Sequence, residues 1–321
     1  MIDRRGLMAS LAAWTLAGPA LAAARPYRAP RTRFGTPDFE GLWTNASYTE
    51  LERPDELKTL AVTPEAARAW EAKLAKTGGV NVGPDPVGQG DSEFPESGGG
   101  LARIKGEIRG SWIVDPPDGQ LPYSEAAKKT LGLGKYRRAL YDDVENRPMS
   151  ERCLTAEATG APLINSPDTN VLQIVQTRDA VVLLSEKYHD ARIVRMDAGP
   201  APADTPRSWL GECRGRWDGD TLVVTTTRLR EGYQERNWGF WLSGDATVEE
   251  RFTRVAKGEI FYEFTVTDPA IYTRPWRGEM AFHVSAGAMF EYACHEGNYG
   301  IVNILGAARL GNQPPPKPPV P

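Results

Sequence analysis

From about residue 170 the chain alternates apolar and polar residues in short runs joined by turns, and the joins are too brief for crossover helices. LQIVQT and AVVLLSEKY flank Arg178-Asp179, and ARIVRMD follows. WLGECRGRW and DTLVVTTT flank Asp218-Gly219, a type I′ hairpin signal. VEERFTRV and EIFYEFTVT flank Ala256-Lys257-Gly258, and AFHV and AMFEYACH flank Ser285-Ala286-Gly287. These runs predict a mainly β fold of about 8–10 strands. They would form an antiparallel lipocalin-like barrel or a strongly curved sheet, because closure removes exposed edges.

Residues 25–150 read differently, as an irregular region broken by Pro, Gly and charge that carries two helices packing on the barrel. The first opens at Thr63-Pro64-Glu65 with an N-cap, a first-turn proline and a first-turn acid, and ends at Gly78-Gly79. The second follows Ser124, with Gly132 and Gly134 weakening it. Residues 80–100 read as loop, 151–310 as the barrel domain, and 311–321 as a disordered Pro-rich tail.

Residues 1–24 read as a cleaved signal. Arg4-Arg5 precede a short apolar run and Ala20-Leu21-Ala22 fits a cleavage site. The paired arginines before Gly6-Leu7-Met8 point to the twin-arginine (Tat) route, with an ordinary secretory signal as the alternative. Either predicts a periplasmic or secreted protein with no membrane span after cleavage. The net charge of −4 argues against nucleic acid as a partner. Three cysteines, Cys153, Cys213 and Cys294, leave at least one unpaired, and no spacing favours one pairing over the others.

The strings GRWDGDTLVV (215–224), QIVQT (173–177), DGQLPYSEAA (118–127) and YACHEGNYG (292–300) together resemble an uncharacterised family of exported bacterial proteins, often with Tat signals. That resemblance implies export and the domain boundaries above. Separately, Gly41-Leu42-Trp43 resembles the G-x-W start of lipocalin-type barrels.

Alternation sorts the strand residues by face. Ile260, Tyr262, Phe264 and Val266 oppose Phe261, Glu263, Thr265 and Thr267; Glu212, Arg214 and Arg216 oppose Cys213, Gly215 and Trp217. One face is apolar and the other rich in Arg, Glu and Thr. A polar face turned to water would form cross-strand ion pairs. Turned inward, it would line a ligand cavity with Arg214, Arg216, Glu250 and Glu263. Tyr233, Trp238 and Trp241 on the long link 229–246 would form a lid over it, or simply cap the barrel end. Arg274 and Trp276 would form its rim, a cation beside a ring.

Metal-ligand spacings, hydrolase elbows and nucleotide loops are missing from the sequence, so neither a metal nor a cofactor is expected. Cofactor-free acid–base chemistry remains for an enzyme. His295, with Glu291 on its own strand face and Glu296 next to it, is the leading acid–base candidate and His189, before Asp190, the second. Two functions follow. One is a lyase or isomerase acting on a small aromatic or hydrophobic molecule in a barrel pocket. The other is a lipocalin-like binding or carrier protein without catalysis.

Overall fold

A computed structural model describes residues 27–77, 99–138, 140–155, 159–166, 170–230 and 240–310. The signal segment, Tyr233, Trp238, the Pro-rich tail and most of the 80–100 loop lie outside the described residues.

A single sheet dominates the fold. Strands β1 (Gly41–Thr44), β2 (Arg103–Ile104), β3 (Glu107–Ile108) and β4 (Ile113–Asp115) come from the N-terminal region. Strands β5 (Val171–Gln176), β6 (Ala180–Ser185), β7 (Ala191–Met196), β8 (Glu212–Asp218), β9 (Thr221–Thr227), β10 (Thr247–Ala256), β11 (Glu259–Thr267) and β12 (Trp276–Val284) follow. Neighbours run β1-β5-β6-β7-β8-β9-β10-β11-β12, and β12 returns to β1, closing a barrel of nine strands. The expected closed β architecture is present.

Its ninth strand is not the expected one. The G-x-W stretch supplies β1, which bridges β5 and β12 through Trp43↔Leu172 and Trp43↔Val284. AMFEYACH forms no strand. Beyond Val284 the free side of β12 is already taken by β1 and, at its other end, by β4, so no edge remains to pair with. Residues 285–298 cross the outside instead, and the chain ends in helix α3 (Tyr299–Arg309), which alternation did not suggest. Asn298 caps it by accepting from Ile301 N at 3.3 Å.

The two expected helices form: α1 (Pro64–Thr77) and α2 (Glu125–Arg138). Trp70 and Ala67 of α1 pack on Leu57, Leu101 and Ile108, a small satellite core. Ser124 Oγ accepts from Ala127 N at 3.1 Å at the start of α2. The Asp218-Gly219 hairpin forms one residue later than the I′ reading: Asp218 pairs with Thr221, leaving Gly219-Asp220 as the loop. Only Gly219 has positive φ (60°), the pattern of a II′ turn.

A ring of antiparallel pairs alternates up and down, so an odd ring must contain a parallel pair. Here it is β7 with β8, through Val194↔Cys213, Arg195↔Arg214 and Met196↔Gly215. Every other contact in the ring is antiparallel.

The barrel interior is solid. Trp43, Phe252, Tyr262, Phe264, Trp276 and Phe282 are almost wholly buried there, with rings mostly tilted or edge-on. Gly278 makes this packing possible, since a Cβ there would lie 2.1 Å from the Phe264 ring. Gly278→Ala is therefore expected to cost about 2–3 kcal/mol by overpacking, read by chemical denaturation.

Candidate functional site

The inward face is the apolar one, so the polar face of Arg, Glu and Thr turns to the outside. That corrects the cavity expectation. The physical reason is burial: Ile260, Tyr262, Phe264 and Val266 come off the water-accessible surface, while Glu263 and Arg216 keep access to solvent. The outer charges form the cross-strand pairs expected of a wet face. Arg251 bonds Asp218 at 2.8 Å, holding that carboxyl below its ordinary range. Arg277 lies 3.9 Å from Glu263, and Arg109 bonds Glu279 at 2.9 Å. Inside, the void beside Asn45, Leu163 and Phe282 holds only about 20 Å³, less than a small organic ligand needs.

Glu250 departs from its expected companions and points inward with Val248 and Phe252. There it meets Arg192 of β7, and both side chains are fully buried. Arg192 donates to both Glu250 oxygens and to Thr226 Oγ1 (3.1 Å). Tyr262 Oη donates to Glu250 (2.8 Å) and accepts from Leu163 N (2.9 Å). Cys213, the free thiol, lies 3.3 Å from the Thr226 hydroxyl. Burial pulls the Arg192 guanidinium down, but the adjacent Glu250 outweighs it and the net direction is up. Burial first, and Glu250 second, push the Tyr262 phenol up.

The predicted histidine site does not assemble. His295, Glu291 and Glu296 are exposed on the non-strand segment before α3. Strand periodicity therefore places none of them relative to the others, and the His295 ring makes no hydrogen bond or ion pair among the described residues. His189 is exposed too, in a short turn at positive φ, and its Nε2 accepts from Tyr292 N at 3.0 Å. Cys294 is bonded to Cys153, which fixes the segment to residues 150–153. Trp276 and Arg274 separate: Trp276 begins β12 and points into the core, while Arg274 precedes the strand and bonds Asp115 at the surface. Trp241 is half-buried against the barrel, its carbonyl accepting from Tyr272 Oη at 2.7 Å, and with buried Phe240 it caps the barrel end.

What the structure does form is a groove of about 620 Å³ on the outer wall. The parallel β7–β8 pair creates it. Strand β8 must start at the end where β7 started, so residues 197–211 travel back along the barrel, about 20 Å for a six-residue strand. The interior is full, so they run outside. Arg214 on β8 donates to Ala198 O at 2.9 Å, and Arg228 after β9 donates to Thr205 O through Nε (2.9 Å) and a terminal nitrogen (2.5 Å). The two arginines pin the crossover at its ends. Gly211 closes it with φ +72°, where a Cβ would lie 2.6 Å from Thr227 O, so only glycine fits. Beside these anchors, Arg216, Val223, Thr225 and Thr227 line the groove on the wall, and Pro200 to Ala203 line it from the crossover.

Arg214 and Arg216 thus do line a pocket, on the other side of the wall from that expected. Arg192, Arg228 and the crossover escaped sequence reading. The signal for the interior pair was present, since Glu250 shares a face with Val248 and Phe252. ARIVRM mixes charge and apolar residues on both faces, which hid Arg192. Comparison with protein-family models and with curated proteins gives no match.

Glu250→Gln is expected to cost about 3–5 kcal/mol by leaving Arg192 buried without its counter-charge, and the double variant Arg192→Met/Glu250→Leu to recover most of it, both read by urea denaturation. A second outcome concerns alkali. The unfolded phenol ionises near pH 10, whereas folded Tyr262 and Tyr272 hold their protons to higher pH. The unfolded state then binds fewer protons, so stability is full below about pH 10 and falls above it. A melting series across that range reads the slope, and Tyr262→Phe should flatten it.

Proposed function

We propose that this protein binds a small molecule in the outer-wall groove, as a binding or carrier protein rather than a catalyst. The observation that supports this most is a groove of ligand size whose wall carries uncommitted polar groups. The Thr225 and Thr227 hydroxyls and the Arg216 guanidinium make no hydrogen bond or ion pair with any described residue. Catalysis by His295 has no comparable support, because no carboxylate among the described residues orients its exposed ring. We extend the proposal to export. The Cys153–Cys294 disulfide favours an oxidising compartment. It joins the outer C-terminal segment to residues before β5 and leaves the barrel core untouched, so the barrel can fold before the bond forms.

A fragment screen read by heteronuclear NMR on isotope-labelled protein tests the binding reading. Hits are expected to shift Val223, Thr225 and Thr227 and to leave Phe252 and Tyr262 unmoved. Thr225→Trp, which fills the groove, should abolish them, and His295→Gln should not. Hits that map elsewhere, or that survive Thr225→Trp, sink the proposal.

A further inference from the structure

Resting on the groove reading above, we infer that the ligand is an organic monocarboxylate with an apolar body, its carboxylate held by Arg216. The inference comes from how the three arginines of the groove are spent. Arg214 donates to Ala198 O and pairs with Glu212 at 2.9 Å, an acid it shares with Arg195. Arg228 gives Nε and one terminal nitrogen to Thr205 O. Both act as clamps on the crossover. Arg216 stands beyond Arg214 on the same wall, on the side away from Arg228, exposed, with no hydrogen bond or ion pair among the described residues. The carboxylate that feels its charge, Asp218, is already bonded to Arg251.

One uncommitted guanidinium matches one negative charge. Its planar fork fits a carboxylate through two parallel N–H···O bonds. Arg228 keeps its charge, but its Nε and one terminal nitrogen are held by Thr205 O, so a dianion such as phosphate would meet a single free guanidinium fork, and Asp197 on the rim would oppose its second charge. Alongside Arg216 the wall is apolar. Val223, its cross-strand neighbour, is 1% exposed although it points away from the barrel core, and Pro200, Ala201 and Pro202 face it. With Val223 already packed, an alkyl or aryl body lying against Pro200, Ala201 and Pro202 would leave its acid group at Arg216 and a second polar atom for the Thr225 hydroxyl.

Titration calorimetry with the full mature chain tests this with five probes: hexanoate, phenylacetate, the amide of each acid, and inorganic phosphate. Both acids are expected to bind, their amides at least tenfold more weakly, and phosphate more weakly still. Arg216→Gln should weaken the acids at least tenfold and leave the amides unchanged, while Arg216→Lys should restore part of the loss. Because Arg216 is exposed and makes no hydrogen bond or ion pair among the described residues, neither variant threatens the fold. Amides that bind as well as acids, both lost in Thr225→Trp, overturn the ligand class and leave the groove standing. Tightest binding by phosphate overturns the monocarboxylate in favour of an inorganic or phosphorylated anion. If neither acids nor amides bind in a way that Thr225→Trp removes, the groove fails with the ligand.

Discussion

Parity governs this structure. Nine strands cannot close into a ring of purely antiparallel neighbours, and the single parallel contact, β7 to β8, absorbs the mismatch. Everything distinctive follows from that contact. It forces residues 197–211 to retrace the barrel, and the packed interior forces that return path onto the outer wall. It also sets Arg195 beside Arg214, two like charges that Glu212 bridges at 2.9 Å to each. Met196 lands against Gly215, where a Cβ would sit 2.6 Å from its sulfur, so a side chain at 215 would push the seam apart.

The interior and exterior of the wall do different work. Inside, aromatic rings fill the space, and the charged pair of Arg192 with Glu250 is supported by Tyr262 and Thr226, with the Arg192 Nε left unpartnered among the described residues. A buried pair of this kind contributes little net stability against an apolar core. Its effect is to fix register, since shifting β7 or β10 by one residue would put one partner in water and strand the other. Outside, several charges pair across the wall, Arg251 with Asp218 and Arg109 with Glu279 among them. Arg216 is conspicuous because the same wall neutralises its neighbours.

Strand identity and face were legible because period-2 alternation is a local property. DTLVVTTT and EIFYEFTVT needed no partner to declare which side would be apolar. Closure was only half legible. The alternation in AMFEYACH is as regular as that in the real strands, but the edge it would have used is held by residues Gly41–Thr44, far away in sequence, and by Ile113–Asp115. The same long-range competition dissolved the candidate site. His295 and Glu291 shared a face only while the segment was a strand. Arg214 and Arg216 were recognised as a pair, but the groove they line depends on Pro200 to Ala203, and nothing in that Pro-rich run announces a path back over β8 and β9.

The join between Trp43 and Val284 has a temporal meaning. The strands that seal the barrel are the first and the last of it in chain order, so hairpins from β8 to β12 can zip locally while the ring stays open. A nascent chain cannot complete the barrel until nearly all of it has left the ribosome. Closure is consequently a late, long-range event with a high loop-entropy cost. Until then the Phe252, Tyr262 and Phe282 rings would face a partly open cylinder, exposed to any chaperone that reads apolar surface.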